Sequence, residues 1–163
     1  MKISSYFVIV SLFFLLSCKS KEKKDIEAAI DKMQGNWVVD KLTLPPNAPD
    51  SLQNVFKRGE FLFEKCITTS SSSSACGGEV SLNDIITGVY YKYSYQKNQY
   101  EFGLLGDTNT RPILAKMIQI FDGNWEIIVD GNKMTAKRKD VLKPYLPQET
   151  LYKGEVMFTA TRK

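Results

Sequence analysis

The stretch Gly88–Leu105, GVYYKYSYQKNQYEFGLL, decides the fold class. Val89, Tyr91, Tyr93 and Tyr95 alternate with Tyr90, Lys92, Ser94 and Gln96. That period of two belongs to a strand with one buried face, not to a helix. A two-residue turn at Lys97-Asn98 would set Tyr95 against Tyr100, Tyr93 against Phe102 and Tyr91 against Leu104. Ser94 would then face Glu101 on the other side. Cross-strand aromatic pairs contribute about 0.2–1 kcal/mol each, so one face of this hairpin is strongly specified. The hairpin is antiparallel.

Downstream, the same turn chemistry appears twice, as Asp122-Gly123-Asn124 and Asp130-Gly131-Asn132. Asp-Gly and Gly-Asn steps supply the positive φ that tight hairpins need. A turn at Gly131-Asn132 places Val129 opposite Met134 and Ile127 opposite Ala136. Glu126 then meets Lys137 and Asp130 meets Lys133 on the other face. Ile118 and Ile120 extend the apolar face backwards, which predicts three strands at 115–121, 124–130 and 132–139. The doubled turn is the one internal repeat noted, and no second domain is indicated.

Upstream, Asp25–Gln34 carries Ile26, Ile30 and Met33 at helical spacing, with Asp25 as N-cap. After Gly35 the period changes to two. In Asn36–Leu44 the apolar parity switches from Trp37 and Val39 to Leu42 and Leu44, which predicts a β-bulge near Asp40-Lys41. Short strands follow at Glu60–Cys66 and Glu79–Asn83, and a last one at Gly154–Lys163. Prolines 45, 46 and 49 open a loop that carries a short helix over Ser51–Arg58; Pro144 and Pro147 break the chain before the last strand. With about nine strands and a short N-terminal helix, the expected class is mainly β, a barrel or sandwich.

Composition narrows the chemistry. The chain has 163 residues, 43% hydrophobic and 25% charged, enough for one domain. It contains no histidine, which removes Ser-His and Cys-His dyads and most zinc sites. A net charge of +4, with its basic residues scattered, does not indicate nucleic-acid binding. Asp122 and Asp130 are turn residues, favoured there for backbone reasons. Asp107–Arg111 (DTNTR) lacks the glycine and terminal glutamate of a calcium loop. With no nucleophile–base set and no phosphate cradle, the expectation is no enzyme, no metal and no cofactor.

The N-terminus points to export. Lys2 precedes the apolar run Tyr6–Leu16, which is too short to span a bilayer at roughly 20 residues. Leu15-Leu16-Ser17-Cys18 resembles the bacterial lipobox, which implies cleavage after residue 17 and a lipid on Cys18. Residues 18–24 then form the lipidated cysteine and a charged tether (KSKEKK), too polar to order by itself. Two cysteines remain, Cys66 and Cys76, flanking the serine run Ser70–Ser74. In an oxidising compartment they read as a disulfide staple between two strand ends. A metal site lacks ligands, and a redox pair lacks the C-x-x-C spacing.

The first strand opens with Gly35-Asn36-Trp37, and Arg162 lies in the last strand in phase with its apolar residues. This G-x-W with a late arginine resembles the lipocalin pattern, in particular the short lipocalin-like domains of bacterial lipoproteins. The resemblance covers 25–163. It implies an antiparallel meander closing into an up-and-down barrel, with Gly35, Trp37 and Arg162 at its closed end. The T-D-Y motif of lipocalins is absent. Tyr91, Tyr93, Tyr95, Tyr100 and Phe102 would line a pocket for a small apolar or amphipathic molecule, or else would simply be core. Two functions follow. One is an envelope lipoprotein, more at home on the outer membrane, that binds such a ligand and has the membrane as its partner. The other is a non-catalytic interaction lipoprotein with a filled barrel that contacts another envelope or extracellular component.

Overall fold

A computed structural model describes residues 21–48, 59–66, 76–82, 85–106, 112–142 and 152–163. Residues 1–17, Cys18, the 51–58 segment, the serine run, the 107–111 loop and Pro144 with Pro147 lie outside the described residues. A helix α1 (21–33) leads into β1 (Gly35–Thr43). Then follow β2 (Gly59–Phe63), β3 (Cys76–Leu82), β4 (Ile85–Ser94) and β5 (Gln99–Leu104). A second helix, α2 (Pro112–Phe121), precedes β6 (Gly123–Asp130), β7 (Lys133–Leu142) and β8 (Tyr152–Arg162). Each strand pairs antiparallel with the next, and β8 returns to β1 to close the barrel. Closure leaves no sheet edge to aggregate.

The parity switch in β1 is a real irregularity: the register with β8 shifts between Val39 and Lys41. In β6–β7 Val129 pairs with Met134, Ile127 with Ala136 and Glu126 with Lys137, the register read from Gly131-Asn132.

Three expectations need correction. First, 115–121 is not a strand but most of α2, so the described barrel has eight strands rather than nine. Leu114, Met117, Ile120 and Phe121 are all buried at helical spacing. Pro112 opens the helix, where its missing N–H costs nothing. Second, the β4–β5 register is offset by two. The turn is four residues long, Tyr95–Asn98, with Asn98 at φ 50° and its N–H bonded to the Tyr95 carbonyl at 3.3 Å. Tyr93 therefore faces Tyr100 and Tyr91 faces Phe102, while Lys92 rather than Ser94 faces Glu101 and pairs with it at 2.9 Å. A shift of two keeps every side chain on its face, which is why the barrel tolerates it. Third, α1 already runs at residue 21, so Lys21–Lys24 belongs to the helix, and Asp25 lies inside it. Lys23 and Glu27, one turn apart at 3.7 Å, support that extension.

Up-and-down strands alternate in direction, so the starts of β1 and β6 lie at opposite ends of the barrel. α1 enters at one end and α2 at the other. Each contributes buried side chains, Ile30 and Met33 from α1, and Leu114, Met117, Ile120 and Phe121 from α2. Between them the interior is aromatic. The Phe61 ring lies 5.5 Å from Phe63, 5.2 Å from Phe121 and 5.6 Å from Phe158, and Phe158 meets Trp125 at 5.1 Å. Such pairs add about 0.5–1.5 kcal/mol each beyond the area they bury.

Candidate functional site

The tyrosine stripe divides by depth. Tyr91, Tyr100 and Phe102 are buried; Tyr91 meets Phe63 at 4.9 Å, Phe102 meets Phe63 at 5.5 Å, and Tyr100 meets its strand neighbour Tyr93 at 4.9 Å. The Tyr91 and Tyr100 hydroxyls are committed to the backbone. Tyr91 donates to the Glu64 carbonyl at 2.9 Å, and Tyr100 donates to the Ala29 carbonyl of α1 at 2.8 Å. Tyr93 sits at the rim and donates to the Asn98 side chain at 2.6 Å. Tyr95 lies in the turn, 41% exposed, apart from the other four. Tyr91, Tyr100 and Phe102 thus belong to the core, and Tyr100 ties it to α1.

Burial pushes the Tyr91 phenol up to about 12, with the nearby Asp31 and Glu64 carboxylates adding to it. Burial also raises Tyr100 and, less deeply set, Tyr93. A raised folded pKa means stability that is intact below pH ~10 and lost as pH rises through the folded values. Alkaline titration tests this through Tyr91, Tyr93 and Tyr100. The buried Tyr91 and Tyr100 should ionise only with loss of the barrel's circular dichroism. Ionisation of Tyr91 and Tyr100 with the fold intact would contradict this packing.

At the α1 end, Trp37 is fully buried and its indole N–H bonds to the Met33 carbonyl at 2.8 Å. Trp37 pairs with Arg162 across β1–β8, and the Arg162 guanidinium carbon lies 4.4 Å from the indole centroid. Arg162 also donates to the Lys32 carbonyl at 2.7 Å, which stitches α1 to the last strand. Gly35 sits at φ 116°, where a side chain is strained, and the Arg162 side chain passes just over it. Gly35, Trp37 and Arg162 thus form one assembly. Beside it, Cys66 and Cys76 are bonded, with Cα atoms 5.1 Å apart, tying the end of β2 to the start of β3. Cys66→Ser with Cys76→Ser should cost about 2–3 kcal/mol by freeing the 66–76 loop. An unchanged urea midpoint would contradict that role.

Sequence reading missed the equivalent at the other end. Gly123-Asn124-Trp125 repeats Gly35-Asn36-Trp37 letter for letter, and it too follows a helix. The Trp125 N–H bonds to the Phe121 carbonyl four residues back at 2.8 Å, as Trp37 does to Met33. Gly123 has φ 125°. Arg138, on β7 one step beyond the Glu126–Lys137 pair, places its guanidinium carbon 5.3 Å from the Trp125 centroid. It donates to the carbonyls of Asp122 and Gln119, which end α2. The Asp122 carboxyl accepts the Leu104 N–H at 2.7 Å. Burial holds that carboxyl above its ordinary value, against the opposing pull of the Leu104 N–H and the Arg138 charge. The doubled G-N-W tripeptide was the available signal. Reading 115–121 as a strand hid it, because the motif needs a helix before the glycine.

The two ends are therefore plugged in the same way, by a helix, a tryptophan and an arginine. A groove of about 290 Å3 lies outside this interior, along Lys41–Leu44 at the far end of β1. No cluster of three metal-ligating side chains occurs among the described residues. Compared with known proteins, the chain matches no family model, no curated protein and no solved structure.

Proposed function

We propose that this chain is a lipid-anchored, non-catalytic envelope protein of lipocalin-like build whose barrel is a packed scaffold, and that it works through its outer surface. The observation that carries this reading is the filled interior. Phe61, Phe63, Tyr91, Phe102, Phe121, Trp125 and Phe158 are each less than 2% exposed and in mutual contact. α2 is not a lid. Withdrawing Leu114, Met117, Ile120 and Phe121 at about 1.5–3 kcal/mol each would cost roughly 6–12 kcal/mol, on the scale of the whole domain's stability. On this reading the interior is packing, not a ligand site.

The anchor reading rests on Leu15-Leu16-Ser17-Cys18 ahead of a charged segment. Its consequence is a soluble barrel held at a membrane, stably so only with more than one acyl chain. Native mass spectrometry of protein purified from its source tests both parts. The expected species begins at Cys18, carries acyl chains there and holds no small molecule. A stoichiometric apolar ligand would overturn the scaffold reading. Continued fatty-acid labelling of Cys18→Ser would overturn the anchor.

A further inference from the structure

Several large apolar side chains are exposed on the outer wall of the barrel. Ile128 is 69% exposed but stands among Glu126, Asp130 and Lys137, as a solvated strand face does. The wall of β2–β5 differs. Leu62, Ile86, Tyr90 and Leu105 are 39%, 60%, 36% and 54% exposed, at outward positions that alternate with buried ones.

Register places them side by side. Leu62 pairs with Glu79, Glu79 with Gly88, and the Leu105 N–H bonds to the Gly88 carbonyl at 2.8 Å. In the adjoining row Gly77 pairs with Tyr90 and Tyr90 with Gly103. The three outward glycines act as seats. The Tyr90 ring lies where a Gly103 side chain would be, Leu105 lies over Gly88, and the Glu64 carboxylate lies over Gly77. Side chains folded down onto glycines make a flat platform with an aromatic face.

Charge selects the occupant. Among the described residues, two ion pairs lie at the platform's edges, Glu60 with Lys163 at 2.6 Å and Lys92 with Glu101 at 2.9 Å, and the exposed Lys65 lies just past the end of β2. Glu64 and Glu79 are exposed within the platform. In a chain of net charge +4, this wall thus carries two exposed carboxylates without an ion pair among the described residues. Two copies meeting through it would bring like carboxylates together, and phosphate surfaces would be repelled.

We propose that the β2–β5 wall is a docking surface for a polypeptide segment that presents lysine or arginine among apolar side chains. Tyr90 and Leu105 would supply contact area, and Glu64 and Glu79 the charge complement. The proposal rests on the surface-acting reading above, but its test is separate. The full chain in nanodiscs of zwitterionic lipid is titrated with a synthetic peptide of alternating lysine and valine, with empty discs as reference. Amide NMR shifts should cluster at Leu62, Glu79, Ile86, Tyr90 and Leu105, and added salt should weaken them. Glu64→Gln with Glu79→Gln, both exposed and harmless to packing, should weaken binding about tenfold. Shifts elsewhere, or equal shifts with the peptide bearing glutamate for lysine, would overturn the proposal. Concentration-dependent shifts at these residues without peptide would assign the wall to a second copy and overturn it too. A small molecule found in the barrel would sink the scaffold reading and leave this result standing.

Discussion

Trp37→Ala is expected to lower the unfolding free energy by about 3–5 kcal/mol, the usual cost of emptying a large buried aromatic site. Three losses coincide. The indole is fully buried, its N–H satisfies the Met33 carbonyl, and its face carries the Arg162 guanidinium. Arg162→Lys keeps the charge but not the plane, and should cost a smaller amount, about 0.5–2 kcal/mol. In a double-mutant cycle the two changes should be non-additive, because they remove one shared contact. Urea unfolding measures all of this. The chain has two tryptophans, so in Trp37→Ala the remaining fluorescence reports the opposite end alone. A cost below about 1 kcal/mol would mean that the plug is not structural.

Trp125→Ala should cost a similar amount, about 3–5 kcal/mol, and for a further reason. Arg138 is 5% exposed, and its guanidinium donates to the Gln119 and Asp122 carbonyls beside the indole. Removing the ring leaves a buried charge next to a cavity. Arg138→Lys cannot hold both carbonyls with a planar fork, so one is left unpaired at roughly 1–3 kcal/mol. Here the residual Trp37 fluorescence should still mark a folded α1 end. With both tryptophans replaced, the loss approaches a typical domain's 5–15 kcal/mol, and the chain should fail to fold. A double variant with native circular dichroism would show that the ends are not what holds the barrel.

Between these plugs, sequence and structure divide the work unevenly. Strand identity was legible because side-chain alternation is local, and Val89–Tyr95 or Val156–Ala160 shows it without reference to anything else. The 131–132 turn was legible too, because Asp-Gly-Asn dictates its own backbone. The bulge in β1 followed from parity, and Trp37 with Arg162 from the resemblance that Gly35-Asn36-Trp37 and a late in-phase arginine carry. The α2 segment was not legible. Ile113, Leu114, Ala115, Met117, Ile118, Ile120 and Phe121 satisfy a period of two nearly as well as one of 3.6. Only the open end of an eight-stranded barrel, which needs a plug with apolar groups on one side, selects the helix. The β4–β5 register escaped as well, since it depends on whether Tyr95 joins the strand or the turn, and Asn98 in its left-handed conformation settles that. The fate of the tyrosine stripe was likewise tertiary. Whether Tyr91 and Phe102 line a pocket or fill a core depends on how far the opposite wall lies. With eight strands the interior is just wide enough for side chains to meet across it. Phe61, Phe63 and Phe158 are large enough to do so, and with the buried aliphatic side chains around them they occupy the space between the walls.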